Sequence, residues 1–172
     1  VPSYNTLRSE LNEAEQANIV DDEEWAIKRK RDTISEKILN DLHNRIFGRV
    51  WKWAVHYSRT GKNYCVEAYR IPIELRNLLD DTRFWIEHGT YQPDEIVARF
   101  HHRLVWIHPF PNGNGRHART AADLLLVAMG RPRFTWGREN LVDAGQTRHA
   151  YVDALRAADA HDYGPLLAFV RS

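Results

Sequence analysis

The stretch HPFPNGNGRHAR, His108 to Arg119, decides how the rest of the chain is read. It sets one histidine ahead of a glycine–asparagine run and two arginines three residues apart. Upstream, PDEIVARFHHRLVWIH opens on a proline and two acids, the composition of a helix first turn, and carries Ile96, Phe100, Leu104 and Ile107 at helical spacing. Downstream, RTAADLLLVAMG is nearly all apolar and closes on Gly130, which predicts a buried central helix. The quoted stretch is therefore a joint between two helices, and its glycines open the second. Gly113 and Gly115 allow backbone angles closed to other residues and let a ligand approach the main chain. Amides at a helix start have no partner within the helix, and the helix dipole adds about half a positive charge there. That combination predicts an anion site, most naturally for phosphate. Arg116 and Arg119 share one face of the first turns, so both guanidinium groups can reach one anion. His108 stands just upstream, where an imidazole can act as a general base near neutral pH. Together the residues predict a site that holds a polyphosphate and removes a proton beside it.

Farther out, the punctuation is mostly helical. LNEAEQANIVDDEEWAIKRKR is polar and rich in helix formers, while ISEKILNDLHNRIFGRVWKW places Ile38, Leu42, Ile46 and Val50 on one helical face. IPIELRNLLDDTRFWIEHG gives an apolar side of Ile73, Leu75, Leu78, Leu79 and Trp85, with Gly89 as its C-terminal stop. RHAYVDALRAADAHDYGPLLAFVRS predicts two further short helices parted near Gly164 and Pro165. YSRTGKNYCVEAYRIP breaks the helical rhythm: TGKN is a turn signal between β-favouring residues and predicts a short hairpin. No internal repeat, low-complexity linker or second composition zone is present. The expected fold class is all-α, a helical bundle with one small β-hairpin flap, forming a single domain over residues 1–172.

Composition bounds the function. The 172 residues suffice for one substantial core without disulfides. With 24 basic and 23 acidic side chains the chain is no polycation, so wholesale nucleic-acid binding is not expected. The run KRKR at Lys28 to Arg31 reads as a solvated helix face. A single cysteine, Cys65, excludes an internal disulfide and a thiolate metal cage. No apolar run approaches membrane-spanning length, and VPSYNTLRSEL lacks the shape of a signal peptide, which together predict a cytoplasmic protein with no membrane partner. Nine histidines raise the question of metal. His101 and His108, seven apart, lie about 10 Å apart along a helix, too far to share an ion. His101 is instead expected to be a hydrogen-bonded core histidine supporting the loop, and the tryptophans, Trp51, Trp53, Trp85 and Trp106 among them, to be packing residues.

The ordered set resembles the signature of the Fic (filamentation induced by cAMP) family, HxFx(D/E)GNGRxxR. His108, Phe110, Gly113, Asn114, Gly115, Arg116 and Arg119 match it, and Asn112 stands in place of the acid. The resemblance extends to FHHRLVWIHPF, to the flap-like segment and to YVDALRAADAHDYGPLLAF, so it covers nearly the whole chain. Within the family the chain is most similar to the subgroup called mobile mystery protein B, which shares the asparagine and an ELNEAEQANI-like N-terminal segment.

That resemblance implies a protein adenylyltransferase, which moves AMP from ATP to a Ser, Thr or Tyr hydroxyl of a target protein and releases pyrophosphate. His108 would take the hydroxyl proton. The amides of Gly113 to Gly115 and the Asn114 side chain would stabilise charge on the α-phosphate, and Arg116 and Arg119 would grip the β- and γ-phosphates. Phe110 would seat the loop. Gly115 favours nucleotidyl over phosphoryl transfer, since family members that phosphorylate carry lysine there. The acid normally holds Mg²⁺, so Asn112 is the candidate metal ligand, with Mg²⁺ or Mn²⁺ as the ion. Loss of one unit charge about 4 Å from another costs on the order of 4 kcal/mol at an effective dielectric near 20. The alternative is therefore a nucleotide-binding interaction module with weak or no catalysis. Residues 1–20 would supply an inhibitory helix of the family form (S/T)xxxE(G/N), with Thr6 and Glu10 in register and Ser9 and Glu13 as the second choice. Its carboxylate would pair with Arg119 and block the γ-phosphate. The flap, Thr60, Gly61, Lys62, Asn63, Tyr64, Cys65 and Val66, would dock the target's main chain along an exposed strand edge. Tyr151 and Leu155, one turn apart, could line the adenine site or simply pack. A homodimer and an antitoxin-like partner both fit the resemblance.

Overall fold

The computed structural model describes residues 34–48, 56–58, 66–137 and 144–172. All regular structure among these is helical. Helix α1 spans Glu36–Phe47; the Ser35 Oγ accepts the Ile38 N–H at 3.3 Å, and Glu36 complements the dipole in the first turn. A 3-10 turn, Ala68–Arg70, leads into α2, Ile71–His88, which has a proline in its first turn. As the sequence predicts, α2 stops at Gly89, whose φ of 58° is the left-handed value that a C-terminal glycine supplies. Helices α3, Pro93–Ile107, and α4, Asn114–Ala128, flank the joint, and α5, Ala144–Asp159, and α6, Gly164–Val170, close the fold.

Helix α3 is the centre of the packing. It meets α2, α4 and α6, while α1 covers α4 and α5 pairs with α6. Phe100, Leu104 and Ile107 of α3, Leu125 and Leu126 of α4, Leu75 and Leu78 of α2, and Leu166 and Val170 of α6 are all at most 2% exposed. Each such side chain contributes about 1.5–3 kcal/mol on burial. Arg171, just beyond α6, donates to both oxygens of Asp94 at 2.7 and 2.6 Å and lies 4.6 Å over the Phe134 ring. That contact fastens the end of the last helix to the first turn of α3.

Several expectations need correction. Of the predicted face of α1, Leu42 and Ile46 are buried, together with Leu39, His43 and Phe47, whereas Ile38 is only half-buried and the helix ends at Phe47. Ile73 is 55% exposed, while Glu74 and Thr82 are buried in its helix. Glu74 lies inside because it accepts from Arg70 at 2.9 Å and from Arg103 at 2.7 Å. Val66, assigned to an exposed strand edge, is a core residue with 4% exposure. No strand occurs among the described residues. The other flap positions, Thr60 to Cys65, lie outside them, as do Thr6, Glu10, Glu13, Val50, Trp51, Trp53 and the KRKR run. No described helix is long and apolar enough to cross a membrane.

Candidate nucleotide site

The joint is built from its buried side outward. Helix α3 closes on His108, whose φ of 52° and ψ of 57° are left-handed and whose N–H donates to the Leu104 carbonyl at 3.2 Å. Glycine or asparagine is the usual occupant of such a position, so the imidazole is held there at a backbone cost. Burial lowers the His108 pKa, and a hydrogen bond to the Val105 backbone partly offsets that effect. The ring nitrogen donating to Val105 must carry the proton, so in the neutral ring the other nitrogen bears the lone pair. The chemistry of a general base requires that form.

Two residues on, Phe110 anchors the loop. Its ring is 2% exposed, stacks on His43 with centroids 3.6 Å apart and planes 13° apart, and meets His117 edge-on at 5.0 Å. Asn114 then clamps the turn: its Oδ1 accepts the Phe110 N–H at 2.9 Å and its Nδ2 donates to the Phe110 carbonyl at 2.7 Å. At 3% exposure this side chain belongs to the loop's interior, where it holds the turn beside the expected α-phosphate position. The backbone between is held too. The Ser58 N–H donates to the Pro109 carbonyl at 2.9 Å, and His43 Nε2 meets the Asn112 carbonyl at 3.1 Å. Gly113 has a φ of 77°, and a Cβ there would clash with the edge of the Phe47 ring, 2.6 Å from Cε2. Gly115 is different, since a Cβ there would meet nothing within 4 Å. Among the described residues no atom demands that glycine.

The first hydrogen bond of α4 runs from His117 N–H to the Gly113 carbonyl at 3.0 Å. The amides of Asn114, Gly115 and Arg116 precede it and make up the donor end of the helix. Burial, and then the charge of Arg119, press the Arg116 pKa down. Two like charges are thus held together at a helix N-terminus, an arrangement an anion stabilises. Arg119 lies 5.7 Å from the centroid of the Tyr151 ring, and the Tyr151 hydroxyl bonds His101 Nε2 at 2.9 Å. Burial raises the Tyr151 pKa to about 12, so this hydroxyl remains protonated near neutral pH. Tyr151 therefore sits beside Arg119, and His101, fully buried, supports it from α3.

A divalent ion finds little here. Asn112 offers one neutral oxygen, which already accepts the Gly113 N–H at 2.8 Å. Among the described residues no group of three His, Cys, Asp or Glu side chains could hold a metal. Mg²⁺ prefers charged oxygen ligands, so these residues do not fit a resident metal.

Sequence reading missed His43 and His117. Both are fully buried, and His117 Nε2 bonds the Leu39 carbonyl at 2.9 Å. Their signal was a histidine on an otherwise apolar helix face, at His43 in α1 and at His117 one residue after Arg116.

A domain of stacked helices with a phosphate-type donor end and a histidine beside it is the class defined so far. The Fic/DOC family profile matches residues 33–126, more than half of the chain, and the chain belongs to that family. It is 29% identical over 145 residues to a protein named protein adenylyltransferase Fic from Aedes aegypti, covering 82% of this chain and 28% of that one. Among solved structures it superposes on Fic-1 of C. elegans with a TM-score of 0.64 at 26% identity, over 84% of this chain and 42% of the other. A Fic-domain signalling protein of Bacteroides thetaiotaomicron shares the fold with a TM-score of 0.72 at 19% identity, over 92% and 66% of the two chains. The chain spans 33% or less of the length of these curated relatives.

Proposed function

We propose that this chain is a protein adenylyltransferase that moves AMP from ATP to a Ser, Thr or Tyr hydroxyl of a target protein. One observation carries the reading: a left-handed His108 ends the helix whose connecting loop leads into a helix start crowded by two arginines. Neutral His108 takes the proton of the attacking hydroxyl. The new bond forms between that oxygen and the α-phosphorus, the bond from the α-phosphorus to the bridging oxygen breaks, and pyrophosphate leaves. Charge growing on the α-phosphate faces the amides from Gly113 to Gly115, and one such donor is worth about 10²–10³ in rate. Arg116 and Arg119 hold the leaving phosphates. Tyr151 steadies Arg119 through its ring and borders the space for the base. The curated relatives' shared name, protein adenylyltransferase, supports this reading.

Finer assignments follow from the sequence resemblance. The chain is a member of the mobile mystery protein B subgroup and a single domain over residues 1–172. Glu10, or in the second register Glu13, restrains it by pairing with Arg119, with Thr6 opening the inhibitory motif. Residues 60–65 form a target-docking hairpin. The setting is cytoplasmic, with a second copy or an antitoxin-like chain as partner. Mg²⁺ or Mn²⁺ enters only as the companion of the nucleotide's own phosphates.

The Asn112 amide, neutral and bonded to Gly113, favours a second reading, in which the site binds nucleotide without turnover. Incubation with α-labelled ATP and Mg²⁺ or Mn²⁺ separates the two. Under the first, Glu10→Gly labels itself or a lysate protein and Glu10→Gly/His108→Ala does not. ATP binding with no labelling in either variant selects the second.

A further inference from the structure

We propose that His43, buried in α1 and 69 residues away in sequence, aims the Asn112–Gly113 peptide at the nucleotide's phosphates. The inference rests on the reading of this loop as the nucleotide site. A carbonyl can only accept, so the 3.1 Å contact between His43 Nε2 and the Asn112 oxygen is an N–H donated by the imidazole. The C=O and N–H of one trans peptide point in opposite directions. A carbonyl tied to a fully buried ring therefore turns the Gly113 N–H away from the core. That N–H in fact meets the Oδ1 of Asn112, an exposed residue, at 2.8 Å. The Asn112 amide oxygen stands where a phosphate oxygen would accept the same hydrogen.

The ring's other contacts serve the same end. Stacking on Phe110 at 3.6 Å fixes His43 against the loop two residues before the peptide it aims. His117 of α4 lies edge-on to it at 5.5 Å. Phe47, one turn farther along α1, fills the space beside Gly113. A leucine or phenylalanine would fill position 43 without burying a polar group, which costs free energy unless it is hydrogen-bonded. Without the imidazole donor the peptide is free to flip and present a carbonyl, the wrong sign of dipole, to an incoming phosphate.

The test compares His43→Phe, which keeps a ring against Phe110, with His43→Gln, which returns an N–H donor near the Nε2 position. With both variants built on Glu10→Gly and melting near that parent, kcat for transfer from α-labelled ATP should fall about tenfold or more in His43→Phe, because a misaimed donor loses part of the 10²–10³ that a donor supplies. KM for ATP should move less, and His43→Gln should recover most of the loss. Unchanged kcat in His43→Phe, or a folded His43→Gln as poor as His43→Phe, overturns the assignment. Should either variant fail to fold, or the Glu10→Gly parent bind ATP without turnover, wild-type NMR decides. The Gly113 amide and the His43 Nε2–H resonances must both shift as ATP saturates, and a stationary pair overturns the assignment. Wild type that neither labels nor binds ATP refutes the nucleotide-site reading itself, and His43 with it.

Discussion

Gly113 and Gly115, two residues apart, answer to different constraints. Gly113 is required by the fold: its φ of 77° is left-handed and the Phe47 ring occupies the place of a side chain. Gly113→Ala should therefore cost about 2–4 kcal/mol, from the backbone strain and the forced repacking together, as read from denaturant melts. Gly115 meets none of the described residues with its missing side chain, so Gly115→Ala should leave stability unchanged or raise it by about 0.5–1 kcal/mol, the ordinary gain of alanine within a helix. Under the proposed function the same methyl obstructs the phosphate, and labelling from α-labelled ATP should drop about tenfold or more. A Gly115→Ala protein that labels like wild type would remove the phosphate from that position. The sequence marks both glycines as special, yet which one serves the fold depends on Phe47, 66 positions upstream, and no local pattern carries that information.

At the scale of elements, α3 was legible because it opens on a proline and two acids with apolar residues at helical spacing, and α4 because it is nearly all apolar up to Gly130. Helix α1 was legible as an element and misread only in part of its face, where Leu42 and Ile46 are buried as expected but Ile38 is not. A polar residue, His43, holds an inner position, and a pattern search for aliphatic side chains passes over it. Glu74 in α2 escaped for the same reason, since its burial depends on two arginines that arrive from different places. The α1–α4 contact also makes a prediction. Phe47→Ala should cost about 3–5 kcal/mol as an emptied core position. In the double variant Phe47→Ala/Gly113→Ala the new methyl enters that space, so the two losses should fall short of additive by about 1 kcal/mol or more. Strict additivity in melts of the four proteins would mean that the ring and the glycine are not in contact.

Across the whole molecule, buried histidines set the response to acid. Burial above all holds His101 and His117 at a pKa of about 3, against 6.5 for an exposed imidazole. Below pH 6.5 the unfolded chain binds protons at both positions and the folded chain does not, so stability is complete above that pH and falls as pH drops toward 3. Each histidine accounts for about 1.4 kcal/mol per pH unit inside that window. Unfolding free energy should fall by about 4 kcal/mol between pH 7 and pH 5 from these two residues. Equal stability at the two pH values would show that the imidazoles are protonated in the fold. This behaviour was not legible beforehand, because the sequence lists nine histidines without saying which are enclosed. The chemistry of the joint was legible, because His108, the glycines and the arginines are adjacent along the chain and need no tertiary contact to be brought together. What the sequence could not provide was the setting: Asn114 as a clamp and Asn112 already bonded to its neighbour. The twisted backbone at His108 carries a last consequence. An imidazole occupies a spot that glycine would fill with less conformational tension. Lineages chosen only for heat resistance should lose histidine there, and its retention among sturdy homologues would measure how strongly the chemistry is favoured over durability.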